Sequence, residues 1–124
     1  MAQGQKIAGP RRGEIFLVAF DPTVGREIKK TRPALVIQND VGNRYGDLTI
    51  VAAITSKISA VLYPVEVIVQ PSRANGLQVL SAILLDQVRT IDKQRLLKRL
   101  GFVDPSTMHK VDEAIQISFG LIEL

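Results

Sequence analysis

Five runs of apolar, largely β-branched residues recur along the chain, and each is bounded by turn-forming residues. Glu14 to Phe20 lies between Gly13 and Asp21-Pro22, and Pro33 to Gln38 (PALVIQ) is stopped by Asn39-Asp40 and Gly42-Asn43. Leu48 to Ile54 (LTIVAAI), Val65 to Val69 and Ala82 to Val88 follow, with turn residues at Pro71-Ser72 and Asn75-Gly76. Their length and composition predict five strands. Two later segments have helical spacing instead. Asp92 to Leu100 places Leu96, Leu97 and Leu100 on one side behind a capping Asp92, which predicts a short helix. Asp104-Pro105 is a start signal for a final helix, because Asp accepts from orphan N–H groups and proline tolerates the first helical position. Met108, Val111, Ile115, Ser118, Phe119 and Ile122 then make one face of a helix expected to run nearly to the end. The pattern predicts one antiparallel sheet, curled into a small barrel, with helices attached.

Two segments lack any such rhythm. Met1 to Pro10 reads as a disordered arm ahead of a domain beginning at residue 11. Residues 23 to 31 hold Gly25, several charges and only scattered apolar residues, Val24 and Ile28, which is loop composition.

A length of 124 residues with 46% hydrophobic content supports one domain with a real core. No stretch of eighteen apolar residues occurs, and the first ten residues lack a signal peptide's apolar segment, so a cytoplasmic protein without membrane contact is expected. Zero cysteines exclude disulfides, thiolate metal sites and thiol nucleophiles. The net charge of +4 is unevenly placed. Up to Pro33 there are seven basic residues (Lys6, Arg11, Arg12, Arg26, Lys29, Lys30, Arg32) and three acidic ones (Glu14, Asp21, Glu27), while the remainder balances. Either the excess meets a polyanion, or it is a solvated terminus and loop.

Catalytic candidates are few. The one histidine, His109, rules out a two-histidine ribonuclease pair and falls on the polar side of the last helix, as ordinary surface. No P-loop, dinucleotide fingerprint, zinc motif or close carboxylate pair on one strand occurs, and Asp112-Glu113 reads as solvated helix surface, so no metal or nucleotide cofactor is expected. What remains is a polar group on loops and strand ends: Glu27, Arg32, Thr55 and Ser56, with Gln87 and Arg89 on a later strand. Such positions suit ligand contact because the sheet fixes their geometry. The same residues also suit local structure, with Thr55-Ser56 closing a strand and Arg32 pairing with Glu27.

Five ordered blocks carry a family resemblance: RRGEIFLVAFDPTVG (11–25), TRPALVIQND (31–40), IVAAITS (50–56), ILLDQVRTIDKQRL (83–96) and VDEAIQIS (111–118). The chain resembles the MazF/PemK family of toxin ribonucleases, most of all its Gram-positive type, and the match runs from about Arg12 to Ile122. The fold this implies is a small SH3-like antiparallel β-barrel with a short helix and a C-terminal helix. By resemblance Arg32 and Thr55 match the family's catalytic arginine and threonine, and Glu27 matches a loop glutamate implicated in the site. The implied reaction is metal-independent attack of a ribose 2′-OH on the adjacent phosphate of single-stranded RNA, giving a 2′,3′-cyclic phosphate and a 5′-OH. Arg26, Lys29, Lys30, Ser56, Tyr63, Gln87 and Arg89 are the expected RNA-binding residues, on the loops 23 to 31 and 56 to 64 and the later strand. The loop VGREIKKTRP departs from the common family pattern at Arg26, Ile28 and Lys29-Lys30.

The resemblance also implies a homodimer and an acidic MazE-like antitoxin that competes for the RNA-binding face. Two rivals stand beside this reading. A non-catalytic RNA- or protein-binding small barrel would not need Arg32 and Thr55, yet both are present. A gyrase-directed toxin of the CcdB type ends in a tryptophan-containing tail, and this chain contains no tryptophan.

Overall fold

The structure, a computed structural model, describes residues 9–20, 25, 30–59, 61 and 63–123. Its framework is set by three strands that bury both of their faces. In β1 (Glu14–Ala19), β2 (Thr31–Val36) and β3 (Leu48–Thr55) successive side chains alternate between two apolar clusters. Ile15, Leu35, Ala52 and Ile54 enter one cluster, whereas Phe16, Val18, Ala34, Val36, Val51 and Ala53 enter the other. Unbroken apolar runs are what such doubly covered strands require.

With β4 (Glu66–Val69), β5 (Ser81–Asp92) and β6 (Leu96–Phe102) the sheet has the order β4-β5-β3-β2-β1-β6, antiparallel throughout. A bulge in β5 bends it: Ala53 faces Leu84 but Ala52 faces Val88, so three residues of β5 answer one step of β3. The second half of β5 and the start of β6 bring Ile91 and Leu96 over the second cluster. The edges β4 and β6 nearly meet through the turn after β4, where the Phe102 N–H donates to Ala74 O at 3.0 Å. The expected curled antiparallel sheet is therefore present.

The helix α2 (Pro105–Ser118) starts as its sequence predicts. Asp104 accepts from the Thr107 N–H at 2.7 Å and Pro105 occupies the first turn. Val111 and Ala114 are buried in the first cluster, and the Ser118 hydroxyl donates to Leu85 O at 2.7 Å. Gly120, with φ +74°, ends the helix by donating to Ile117 O. Beyond it Phe119, Leu121 and Ile122 are exposed rather than part of the buried face.

The short helix expected at 92–100 is absent. Residues Lys93–Arg95 form a single 3-10 turn and Leu96–Phe102 is strand β6. Tertiary demand overrides the leucine spacing here: β1 is bonded to β2 on one side only, and without β6 its other row of N–H and C=O groups would have no partners. The pattern fits a strand once alternation is considered, since Leu96 is buried and Leu97 exposed. Lys98 and Arg99 then mark an edge strand by their charge.

The short helix lies instead at α1 (Asp40–Tyr45), which Asn39-Asp40 and Gly42-Asn43 mark as a turn in the sequence. Asn39 caps it by accepting from the Gly42 N–H at 2.8 Å. Its inner side is polar: buried Asn43 accepts from the Thr49 hydroxyl at 2.6 Å and from the Gln38 amide at 3.0 Å. The buried Lys93 amine donates to Asn43 O. No helix among the described residues is long and apolar enough to cross a membrane. Of the expected N-terminal arm only Gly9 and the buried Pro10 are described; residues 1–8 lie outside the described residues.

Candidate active site

Two strand ends supply the core of the site. Arg32 is the second residue of β2 and Thr55 the last of β3. Ala34 pairs with Ala53, and both belong to the second cluster. Two residues beyond that pair along each strand come Arg32 and Thr55, at the rim of the sheet, where Thr55 pairs with Ala82 of β5. Arg32 is exposed, and its side chain makes no hydrogen bond or ion pair with any other described residue. Thr55 is half-buried and its hydroxyl oxygen accepts from the Lys57 N–H at 3.1 Å, which turns the chain at Ser56. That contact uses a lone pair and leaves the hydroxyl proton to donate.

Four other arginines of the chain are bound to the fold. Arg12 donates to Ile37 O at 2.8 Å and pairs with Asp112 at 2.7 Å, and Arg99 pairs with Glu14 at 2.8 Å. Arg89 donates to Phe20 O at 2.6 Å and lies over the Phe20 ring, 5.6 Å from its centre. Arg95 donates to Ala19 O at 2.9 Å. The Phe20 N–H in turn donates to Lys30 O at 2.9 Å, so the two ends of the basic loop are held together directly before Arg32. Lys30 adopts φ +65°, a left-handed conformation that turns the chain into β2.

A cavity of about 270 Å³ opens beside this rim. Arg32, Pro33 and Ser56 line one side, and Leu77, Gln78 and Val79 come from the turn after β4. Among the described residues no group of three His, Cys, Asp or Glu side chains gathers that could hold a metal ion. The two carboxyls with lowered pKa, Asp40 and Asp104, stand at helix starts away from this cavity.

A family model for the PemK-like, MazF-like toxin of type II toxin–antitoxin systems matches residues 11–119. The chain belongs to this family of MazF-like toxins. It is 47% identical over 113 residues to endoribonuclease EndoA of Bacillus subtilis (strain 168), covering 91% of this chain and 97% of that protein. Among solved structures, MazF of Deinococcus radiodurans superposes with a TM-score of 0.77 at 25% identity, over 92% of this chain and 99% of that one. A crystal structure of MazE–MazF from the same organism gives a TM-score of 0.72 at 25% identity, over 94% of this chain and 100% of that one.

In this MazF-like toxin the expected site residues are placed unevenly. Arg32 and Ser56 line one cavity, and Thr55 stands next to them on the strand end. Arg89 shares the face of Val51, with which it pairs, and Gln87 is half-buried in the β5 bulge two residues earlier. Tyr63 is exposed in the loop before β4 and is not a wall of this cavity. Arg26, Glu27 and Lys29 lie outside the described residues. His109 is exposed, 3.3 Å from Glu113 one turn on, as its helical position predicts. Sequence reasoning missed Leu77, Gln78 and Val79, because Asn75-Gly76 marks the segment as a turn; the available signal was apolar residues placed where a loop is expected.

Proposed function

We propose that this MazF-like toxin cuts single-stranded RNA without a metal, with Arg32 and Thr55 gripping the scissile phosphate. The chain is a MazF-type toxin endoribonuclease; the mechanism is our reading of its rim. One observation supports it: Arg32 and Thr55 each stand two residues beyond the Ala34–Ala53 pair of β2 and β3, and Arg32 lines an open cavity there. The guanidinium fork suits two phosphate oxygens and stabilises the charge that grows as the phosphorane forms. Thr55 donates its hydroxyl proton to the same group. The substrate's 2′-oxygen forms a bond to phosphorus, and the bond to the 5′-oxygen breaks. A base takes the 2′ proton, and the departing oxygen gains one. A guanidinium is a poor base, which leaves Glu27 as the candidate for that role.

Around this centre Arg26, Lys29 and Lys30 attract the phosphate backbone, while Ser56, Tyr63, Gln87 and Arg89 flank the strand's path. Arg89 uses one of its five donors on Phe20 O and keeps others for phosphate. We read residues 11–124 as one cytoplasmic domain, acting as a homodimer. An acidic MazE-like antitoxin is its partner, because a face that draws phosphate also draws carboxylates.

The test incubates purified protein with a long RNA in EDTA and maps the ends. Cyclic phosphate and 5′-OH ends are expected, and cleavage only on adding metal would overturn the mechanism. Arg32→Ala should lose roughly 3 kcal/mol of transition-state stabilisation, a hundredfold or more in rate, with an unchanged melting temperature.

A further inference from the structure

The turn after β4 is built more rigidly than a connection requires. Asn75 is buried, and its side-chain oxygen accepts from the Ser72 N–H at 3.0 Å and the Leu77 N–H at 2.9 Å. Its amide donates to Gln70 O at 2.9 Å. On the outside the turn's backbone lies against β6. A Cβ on Gly76, which has φ +71°, would sit 2.2 Å from Leu100 O, and one on Gly101 would sit 2.1 Å from Ala74 O. At the turn's exit the Ser81 hydroxyl donates to Val79 O at 2.9 Å. Fixed from both sides, the turn holds Leu77, Gln78 and Val79 against the cavity that Arg32 also lines.

The cavity's chemistry is selective. Pro33, Ile54, Leu77 and Leu100 give it aliphatic walls, and Gln78 stands exposed on its lining. The Gln78 carboxamide makes no hydrogen bond with any described residue, so a donor and an acceptor are both open to a ligand. At about 270 Å³ the space lies below the usual range for drug-sized ligands and admits a single flat ring. Apolar walls for the ring faces and a carboxamide for its edge are what an unpaired base needs, and Arg32, which also lines the cavity, is a cation close by for the phosphate.

We infer that this cavity receives the nucleobase next to the cleaved phosphate, and that Gln78 reads its edge. The inference rests on Arg32 as the phosphate clamp. It goes further in naming a base pocket and the residue that sets preference within it. A peptide side chain fits less well, since an acidic one would leave the aliphatic walls uncovered.

The test measures kcat/KM on RNAs of equal length that differ only at the nucleotides flanking the mapped cut. Gln78→Ala should reduce the preference at one flanking position roughly tenfold and leave the other positions and the melting temperature unchanged. Gln78→Glu, which keeps the size but loses the donor, should change which base is preferred there. An unaltered profile in both variants, or an equal fall on every substrate, overturns the pocket. Arg32→Ala run alongside separates the two readings. If it remains inactive while the Gln78 variants keep the wild-type profile, only the pocket fails, whereas near wild-type cleavage by Arg32→Ala removes the clamp itself.

Discussion

The strands β2 and β3 bring polar side chains together at both of their ends, and the two ends are built in opposite ways. At one end Gln38 and Thr49 converge on Asn43 and Lys93, which are only 1% and 4% exposed. Every buried side-chain nitrogen and oxygen among the described residues has a partner. At the other end Arg32 is exposed with no partner among the described residues, and Thr55 keeps a proton to donate. Burial explains the difference. A buried polar group must be satisfied by the fold itself, so the inner end fixes register, while an exposed rim leaves bonding capacity for a ligand to complete.

This contrast predicts that the two ends fail differently. Asn43→Ala should show the largest stability loss, because it strips partners from Thr49 and Gln38 inside the fold. About 3 kcal/mol is expected, with a melting temperature lower on the order of 10 °C and cleavage per folded molecule kept. A variant that melts as the wild type does but no longer cleaves RNA would reverse the roles of the two ends. Arg32→Ala is the mirror case, with activity lost and melting kept.

A smaller effect comes from the helix starts. Asp40 is held below the ordinary value of 3.8 chiefly by accepting the Arg12 N–H, with Asn43 adding to it, and Asp104 by accepting the Thr107 N–H. Both carboxyls therefore bind a proton more weakly in the folded chain than in the unfolded one. Their contribution is complete above the unfolded value and is lost as pH falls through the lowered folded value. The melting temperature should be nearly flat from about pH 5 to 8 as far as these groups decide it, and should fall below about pH 4. Asp40→Asn combined with Asp104→Asn should soften that fall, and an identical acid profile would show that the caps do not cause it.

How far the sequence discloses each end follows from the range of the interactions. The apolar runs in β1, β2 and β3 and the Asp104-Pro105 start are local, and each became the expected element. The stretch 92–100 is decided by β1's need for a second partner, which leucine spacing cannot reveal. The inner hub is hidden for the same reason, because Asn43 and Lys93 look like turn and helix-surface residues until the chain brings them together. Arg32 and Thr55 are singled out by a resemblance over the whole domain and not by their local pattern. Gln78 was not, since the close approach of Gly76 and Gly101 that positions its turn joins segments distant in sequence.

The most direct test of the rim is a double-mutant cycle on RNA cleavage with Arg32→Ala, Thr55→Val and the combined variant, each confirmed to be folded. Two groups acting as a unit on one phosphate should give a combined loss little greater than that of the worse single variant. Losses that multiply in full would show that guanidinium and hydroxyl act independently, and would contradict a shared grip on the scissile linkage.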